Sequence, residues 1–380
     1  MKHQPLAASP LPAQAHPYKT VAVIGAGAWG TALATTLARA GVTTRLWGRD
    51  PDVVDDINAT AMNSRFLPDV ALSPRLMACH DMAAALDGAE AALIVVPSRA
   101  VRGVARAVAK AAPPGIPFAI CAKGIEAETG FLMTQVAEAE LPGHPIGCVS
   151  GPTFARETAL GHPTAATVAF SFGYADRLQP AHSPAVRLAL SLTTESFRAY
   201  VSDDLVGVEI GGAVKNVIAI ACGMMTGAGF AENTRAALIT RGLDEMKALA
   251  EALGGRRETV TGLAGIGDLA LTCSSPTSRN MALGQQLGQG TPRAACFDGQ
   301  PVVVEGEHNA ITVTDLARRV GVSMPICETV RAILHEDAPL GAAFASLWSR
   351  PIEAEPRAMD VCFDHPATDH AIATLAERIS

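Results

Sequence analysis

The sequence predicts an α/β fold, with a doubly wound sheet in its N-terminal part and an all-helical domain behind it. Five short apolar runs between residues 20 and 150 alternate with helical patterns, which is typical of a parallel sheet covered by helices on both faces. After about residue 202 these runs give way to long Ala-, Leu- and Gly-rich stretches with helical periodicity. This change of period predicts a separate layer of helices.

The individual elements follow from the same patterns. Strands are expected at 21–24, 44–47, 92–96, 117–121 and 146–150, with two more at 164–170 and 197–200. Helices are expected at 31–40, 204–225, 231–253, 257–271, 278–288 and 306–320. Prolines interrupt the last thirty residues, so residues 351–380 are predicted to form a weakly ordered tail. Residues 1–17 are rich in Pro, Ala and His and are predicted to form a disordered arm.

Composition excludes several classes of protein. The 380 residues are 49% apolar and 18% charged, which leaves ample material for buried cores, and the length suggests two domains or one large one. With 30 Lys+Arg against 37 Asp+Glu, the net charge of −7 argues against nucleic-acid binding, which needs a basic surface. The eight cysteines are far apart and show no metal-site spacing, so no metal ion is predicted.

The chain is expected to be soluble and cytoplasmic. Scattered cysteines in apolar runs fit a reducing compartment, and the first 17 residues lack the apolar core of a secretion signal. The longest candidate for a membrane span, 208–225, contains Glu209, Lys215 and Asn216, which argues against a span.

Lysine is rare in this sequence. Of the 30 cationic residues 24 are arginine and only six are lysine, as if arginine replaced lysine wherever either would serve. A lysine kept inside an apolar segment is therefore a candidate for a specific role. Lys123 and Lys215 are two such lysines.

Residues 25–30, Gly-Ala-Gly-Ala-Trp-Gly, form a G-x-G-x-x-G directly after the first strand. In such a loop Gly25 permits the tight turn, Gly27 lets the backbone approach a pyrophosphate, and Gly30 allows the helix to pack closely on the strand. The helix N-terminus offers free N–H groups to the anion. The order of strand, loop, helix and strand predicts a Rossmann-like dinucleotide-binding domain over residues 18–202. The alternative is a glycine-rich turn without a ligand.

The end of the second strand bears on the choice between NAD and NADP. Arg49 lies 24 residues after Gly25, where the adenosine ribose is expected, and a guanidinium can pair with a 2′-phosphate. Asp50 keeps the NAD option open, because a carboxylate at this place binds the ribose 2′-OH. NADP, or the use of both cofactors, is the preferred expectation, and a solvated surface arginine is the alternative for Arg49.

Ligands bind beyond the carboxyl ends of parallel strands. Lys123 follows the run 117–121, and Gly151 and Thr153 follow the run 146–150, so we expect them at the same edge of the sheet. The alternative for Lys123 is a surface lysine that caps a loop.

Lys215 and Asn216 lie in a helix that is apolar or small on every face, which predicts a buried helix. A buried ammonium needs partners, and burial lowers the pKa of a lysine toward the range useful for proton transfer at neutral pH. The alternative is a structural ion pair with an Asp or Glu.

Asp268 is a lone carboxylate in an apolar, glycine-rich segment, and it could hold a catalytic lysine in place. The run Ser278-Arg279-Asn280 offers a cation and two hydrogen-bonding groups of the kind that bind a phosphate or carboxylate. Residues 203–350 are therefore predicted to form an all-helical substrate and catalytic domain.

Together these segments resemble the bacterial NAD(P)-dependent glycerol-3-phosphate dehydrogenase family over residues 20–335. The resemblance rests on ten blocks in the same order: 25–33, 46–50, 122–126, 150–155, 211–216, 240–242, 265–269, 271–273, 278–280 and 304–306. It implies a reversible reduction of dihydroxyacetone phosphate by NADH or NADPH to sn-glycerol 3-phosphate, which supplies phospholipid synthesis.

The resemblance also implies residue roles. Lys215 would exchange the proton with the substrate oxygen, with Lys123 and Asp268 completing the catalytic set. Substrate contacts are implied for Lys123, Gly151, Thr153, Lys215, Asn216, Asp268, Thr272, Ser278, Arg279 and Asn280. Cofactor contacts are expected from Gly25, Gly27, Ala28, Trp29, Gly30, Arg49, Lys123, Ala155, Arg279, Val303 and Glu305. Ala28 departs from the family, in which many members have Ser, so one hydrogen bond to a cofactor phosphate would be missing.

The chemistry suggests a separate role for each group. Asp268 would orient Lys215, and Lys123 would assist at the substrate oxygen. Arg279 and Asn280 would bind the phosphate. Two other functions stay open at this point. One is a dehydrogenase of the same two-domain type that acts on a β-hydroxy acid, and the other is an NAD(P)-binding sensor without chemistry. A homodimer is expected from the large apolar helical half.

Overall fold

A computed structural model describes residues 15–355 and 362–379. It confirms the predicted α/β class, with a mostly parallel sheet followed by a helical region. The strands of the sheet are β1 (Thr20–Ile24), β2 (Thr43–Trp47), β3 (Leu76–Cys79), β4 (Ala91–Ile94), β5 (Phe118–Ile120), β6 (Ile146–Ser150), β7 (Thr164–Phe170) and β8 (Phe197–Ser202). Most of the predicted disordered arm, residues 1–14, lies outside the described residues.

The sheet has the strand order β3-β2-β1-β4-β5-β6-β7-β8. Its helices are α1 (Ala28–Arg39), α2 (Pro51–Thr60), α3 (Met82–Leu86), α4 (Val101–Val108), α5 (Met133–Glu140), α6 (Ala155–Leu160), α7 (Tyr174–Leu178) and α8 (Pro184–Leu192). Apolar residues of α1, α2, α6 and α8 fill the core on one face, and those of α3, α4 and α5 fill the core on the other. Burial on both faces is what the continuous apolar runs predicted.

The sheet is not parallel throughout, which corrects the expectation of a parallel sheet. β7 runs antiparallel to β6, with Gly147 opposite Phe170 and Ser150 opposite Thr167. The connection between these strands contains only the six-residue α6, about 9 Å long. The chain turns back beside β6 instead of crossing over to run parallel to it.

The strand β3 was missed by sequence reasoning. It lies at the edge of the sheet, with Leu76 and Ala78 buried and Met77 exposed. Two inward apolar residues in a four-residue segment are too short a pattern to distinguish a strand from a loop.

The helical region consists of α9 (Leu205–Gly227), α10 (Glu232–Ala252), α11 (Arg257–Val260), α12 (Asp268–Ser274), α13 (Arg279–Gly288), α14 (Glu305–Val320), α15 (Pro325–His335) and α16 (Leu340–Trp348). Helix α9 is its centre and is buried continuously from residue 207 to 225, packed against α10, α12, α13 and α14. By length and composition α9 could cross a membrane, but 89% of its most apolar window is buried inside the protein. It is therefore a core helix.

The helix expected at 257–271 is wrong as a continuous element. The structure has α11, then a π-helical turn at Leu263–Gly267, then α12. The break is steric, because a side chain at Gly265 would collide with the carbonyl oxygen of Val260. Only a glycine lets the chain fold this tightly, and the fold places Asp268 in the first turn of α12, directly against α9.

After α16 the chain forms a short antiparallel hairpin of β9 (Ile352–Glu353) and β10 (Cys362–Phe363), followed by α17 (Asp369–Ile379). Helix α17 packs against α16, and Ile379 is buried at its end.

Candidate active site

The glycine loop is shaped to receive a phosphate group. Gly25 has a φ of +127°, and a side chain there would collide with the carbonyl oxygen of Val95. A side chain at Gly30 would collide with the carbonyl oxygen of Gly25, so α1 packs directly on the loop. Gly27, by contrast, has open space where its Cβ would stand, and it immediately precedes α1. The loop thus leaves one uncovered stretch of backbone at a helix N-terminus, which fits the pyrophosphate of NAD(P).

Asn63, which sequence reasoning missed, holds this loop in place. Its buried amide donates to the carbonyl oxygen of Ala26 at 3.0 Å and to the hydroxyl of Thr31 at 2.8 Å. Its oxygen accepts from the backbone N–H of Phe66 at 3.1 Å. No motif in the sequence marks an asparagine beyond α2 as part of the loop.

At the end of β2, Arg49 is exposed. The neighbouring Asp50 is engaged through both oxygens, since Oδ1 caps α2 by accepting from the N–H of Asp52 at 3.1 Å and Oδ2 pairs with Arg65 at 2.5 Å. The carboxylate that would bind a ribose 2′-OH is therefore turned toward protein groups.

The other predicted cofactor residues lie at the starts of three helices. Ala28 and Trp29 are half-buried in the first turn of α1, and Ala155 begins α6. Val303 is 46% exposed just before α14, and Glu305 is its first residue.

The structure brings Lys123, Lys215 and Asp268 together in one ion-pair cluster. Asp268 Oδ2 lies 2.5 Å from Lys123 Nζ, and its Oδ1 lies 2.9 Å from Lys215 Nζ. The side chains of Asp268 and Lys215 are only 3% and 9% exposed, while that of Lys123 is 17% exposed. One carboxylate thus joins a loop of the sheet to the central helix of the helical region.

Thr272 completes the contacts of Lys215. Its hydroxyl accepts from Lys215 Nζ at 2.8 Å and lies 3.1 Å from Asp268 Oδ1, one helical turn away on α12. Lys215 therefore donates to two oxygens among the described residues. An ammonium carries three N–H groups, so one is left for a ligand.

Burial and neighbouring charges set the proton affinity of the cluster. Burial lowers the pKa of Lys215 below its ordinary value of 10.5; the Asp268 carboxylate opposes this shift, and the Lys123 ammonium adds to it. Burial alone would raise the pKa of Asp268, but the two ammonium groups outweigh it and lower the pKa of this carboxyl. Asp268 therefore stays ionised between two lysines.

Small residues let Lys123 lie against α9. A side chain at Gly212 would come within about 3.2 Å of Lys123 Cγ and 3.1 Å of Ser150 Oγ. Lys123 Nζ lies 3.4 Å from the carbonyl oxygen of Gly151, which also accepts from the hydroxyl of Thr153 at 3.3 Å. The ends of β5 and β6 thus meet at the cluster, as the position of parallel strand ends predicts.

The run 278–280 starts α13. Ser278 caps this helix by accepting from the N–H of Met281 at 3.2 Å, and Arg279 is exposed at its first position. Asn280 is buried, and its amide group contacts Asn216 and Gly306 rather than solvent. In residues 15–355 and 362–379, no three His, Cys, Asp or Glu side chains converge as a metal site would require.

This geometry can hold and exchange a proton. The cluster carries two ammonium groups and one carboxylate, hence one net positive charge in a buried place, which favours a developing oxyanion.

Comparison with known proteins gives a consistent result over almost the whole chain. Residues 20–173 match the family model for the NAD-dependent glycerol-3-phosphate dehydrogenase N-terminus, and residues 204–345 match the model for its C-terminus. A protein of Rhodospirillum rubrum named glycerol-3-phosphate dehydrogenase (NAD(P)+) is 49% identical over 335 residues, covering 88% of this chain and 93% of the relative. Its counterpart in Caulobacter vibrioides is 47% identical over 338 residues, which cover 89% of this chain and 99% of the relative.

A solved structure shares the fold as well. The crystal structure of glycerol-3-phosphate dehydrogenase from Coxiella burnetii has 39% sequence identity and a TM-score of 0.79, and the match covers 87% of this chain and 99% of that one.

Proposed function

The chain belongs to the family of NAD-dependent glycerol-3-phosphate dehydrogenases, and we propose that the cluster of Lys123, Lys215 and Asp268 is its catalytic centre. The enzyme is an oxidoreductase that interconverts dihydroxyacetone phosphate and glycerol 3-phosphate with an NAD(P) cofactor. The observation that carries the proposal is the carboxylate of Asp268, which holds both lysines at the edge of the sheet where ligands bind.

Lys215 is the proton donor in this proposal. When bound, the cofactor supplies the hydride that reduces the carbonyl carbon of the substrate. The carbonyl oxygen then gains a proton, and the remaining N–H of Lys215 provides it, while Thr272 and Asp268 hold the other two. In the reverse direction the neutral amine accepts the proton from the hydroxyl group. General acid–base catalysis of this kind contributes about 10²- to 10⁴-fold.

Lys123 and Asp268 support this step. Lys123 is more exposed than Lys215, and it stabilises the developing charge on the substrate oxygen as a second cation. Asp268 fixes the direction of both ammonium groups, and its negative charge favours the ammonium form of Lys215 against the effect of burial. Arg279, exposed at the N-terminus of α13, binds the substrate phosphate, because a guanidinium and a helix dipole both favour an anion there.

NADPH is the preferred cofactor in this proposal. Arg49 is exposed at the end of β2, where the adenosine ribose lies in a Rossmann domain. Asp50 already accepts from Arg65 and from the start of α2, so a ribose 2′-OH would have to share its carboxylate with these groups. A 2′-phosphate would therefore meet cations at this place rather than an unpaired carboxylate.

The direct test is cofactor oxidation, followed at 340 nm, with dihydroxyacetone phosphate and either NADH or NADPH. We expect turnover with dihydroxyacetone phosphate, higher kcat/KM with NADPH, and no turnover with a β-keto acid that lacks a phosphate. Binding of NADPH without any turnover would contradict the assignment and favour a sensor.

Two further expectations belong to the proposal. We place the enzyme in the cytoplasm, where the free cysteines of the described residues would stay reduced. The homodimer expected from the apolar helical half is tested by light scattering on the purified protein.

A further inference from the structure

An ion pair at the end of β2 joins Asp50 to a segment that follows α2 in the chain. Asp50 Oδ2 lies 2.5 Å from Arg65 Nη1, and the paired side chains are 39% and 63% exposed. Because Asp50 follows Arg49 directly, this carboxylate adjoins one arginine along the chain and a second one across the loop. It stands where the adenosine ribose binds in a Rossmann domain.

The segment that carries Arg65 is fixed against the glycine loop. The amide of Asn63 donates to a carbonyl oxygen of that loop at 3.0 Å, and its backbone oxygen accepts from the N–H of Leu67 at 2.8 Å. The N–H of Ser64 donates to Asp56 Oδ2 on α2 at 2.8 Å. Asn63 and Leu67 are buried, whereas Arg65 between them is exposed. The fold thus presents Arg65 to solvent at a fixed place relative to the loop that fits a pyrophosphate.

The guanidinium of Arg65 can still bind an anion. It lies over the ring of Phe66, with its Cζ 5.2 Å from the ring centre. A guanidinium carries five N–H groups, and the carboxylate of Asp50 contacts it through Nη1. An ion pair as exposed as this one contributes little to stability, because water screens it. A phosphate dianion can therefore bind to Arg65 without disrupting the fold.

We infer that Arg65 is a second cation for the 2′-phosphate of NADPH, beside Arg49, and that it sets the choice of cofactor through Asp50. Paired with Arg65, the carboxylate of Asp50 is neutralised and does not repel the phosphate. Without Arg65 its charge is uncompensated, which repels a 2′-phosphate and suits the 2′-OH of NADH. The inference rests on the proposed preference for NADPH and adds a residue that determines it.

The test measures the dissociation constants of NADPH and NADH by nucleotide fluorescence, in the absence of substrate, for Arg65→Gln. The two nucleotides differ in the 2′-phosphate alone, and binding without substrate does not depend on turnover. We expect NADPH to bind about tenfold or more weakly, NADH to change by less than about twofold, and the urea midpoint to stay unchanged. Arg75→Gln is the matched control, because Arg75 is exposed just before β3, at the amino end of the parallel strands.

A second substitution tests the part assigned to Asp50. Asp50→Asn removes the charge, and asparagine still caps α2. In the Asp50→Asn background, Arg65→Gln removes the direct contact with the 2′-phosphate but no longer exposes a carboxylate. We therefore expect Arg65→Gln to weaken NADPH binding at least about threefold less in this background than in the wild-type background. The non-additivity of this double-mutant cycle measures the coupling between the two residues.

Each other outcome contradicts a stated part of the inference. Equal losses of NADPH and NADH affinity in Arg65→Gln would show that Arg65 holds the segment in place, and unchanged affinities would show that its ion pair is a surface contact. Either result overturns the inference, and an additive cycle overturns the role of Asp50. A wild-type protein that binds NADPH no more tightly than NADH would refute the proposed cofactor preference, and the inference with it.

Discussion

Asp268 Oδ1 lies 2.9 Å from Lys215 Nζ, and the two residues come from different helices, α12 and α9. The same carboxylate reaches Lys123 through its other oxygen. Because all three groups are largely shielded from water, their mutual interaction is stronger than it would be at the surface. The protonation state of Lys215 therefore depends on a residue that lies 53 positions away in the sequence.

Asp268→Asn is the first prediction. The amide cannot neutralise the two ammonium groups, so the substitution leaves buried charges unpaired, which typically costs about 3–5 kcal/mol of unfolding free energy. It also removes the influence that raises the pKa of Lys215. We expect kcat to fall by at least about 10²-fold, and urea unfolding to start at lower denaturant. An Asp268→Asn protein with wild-type kcat would show that the ion pairs serve folding alone.

The pH dependence of kcat is the second prediction. Burial lowers the pKa of Lys215 below 10.5, and reduction of the ketone requires its ammonium form. The rate of reduction should therefore fall as pH rises through this lowered pKa, whereas the rate of glycerol 3-phosphate oxidation, which requires the neutral amine, should rise over the same range. Measurement of kcat in both directions from pH 6 to 10 checks this. Parallel profiles in the two directions would rule out Lys215 as the titrating group.

Glu209 on α9 leads to the third prediction, which concerns stability. Its buried carboxylate accepts from the N–H and the hydroxyl of Thr134 at 2.9 and 2.5 Å, and burial raises its pKa from 4.5 to about 7. Between these values the folded state keeps a proton that the unfolded state has lost, so stability should fall as pH rises from about 4.5 to 7. The titration of Glu209 lowers the equilibrium constant for folding by up to about tenfold per pH unit in this range.

Glu209→Gln removes this titration. We expect the urea midpoint of the variant, relative to wild type, to increase steadily from pH 5 to pH 7.5. The exposed Glu195→Gln is the matched control and should follow wild type. A constant difference between Glu209→Gln and wild type at all pH values would contradict the raised pKa.

Arg49→Gln is the fourth prediction and addresses cofactor choice. If Arg49 pairs with the 2′-phosphate, its loss should lower kcat/KM for NADPH by about tenfold or more and leave the value for NADH nearly unchanged. Exposed Arg75→Gln should affect neither. Equal losses with both cofactors would place Arg49 outside the 2′-phosphate site.

The sequence predicted the parts of this structure that depend on local pattern. The central strands appeared as apolar runs because both of their faces are buried, and the glycine loop was recognisable because steric demands at Gly25 and Gly30 leave no choice of residue. The edge strand β3 and the antiparallel direction of β7 could not be predicted in the same way. They depend on how the strands are arranged in the sheet, which no local pattern records.

For the site, the residue types were recognisable but their partners were not. Lys123 and Asp268 are 145 positions apart, and only the break of the chain at Gly265 brings Asp268 against α9. The hydrogen bonds from Asn280 to Asn216 and from Asn216 to Glu305 likewise depend on the packing of three helices. The role of Asn63 could not be predicted from the sequence, because it depends on the contact of this side chain with the glycine loop.

The central claim is that Lys215 exchanges the proton with the substrate oxygen. It is tested most directly by measuring single-turnover reduction of dihydroxyacetone phosphate in the Lys215→Arg variant. Lys215→Met is a second variant, and Lys110→Arg, at an exposed position, is the control. Arginine keeps the charge but donates a proton poorly, because its pKa is above about 12. We predict normal NADPH binding by fluorescence and a hydride-transfer rate at least about 10²-fold lower in both Lys215 variants, with the control unchanged. A Lys215→Arg enzyme that transfers hydride within tenfold of the wild-type rate would contradict the account.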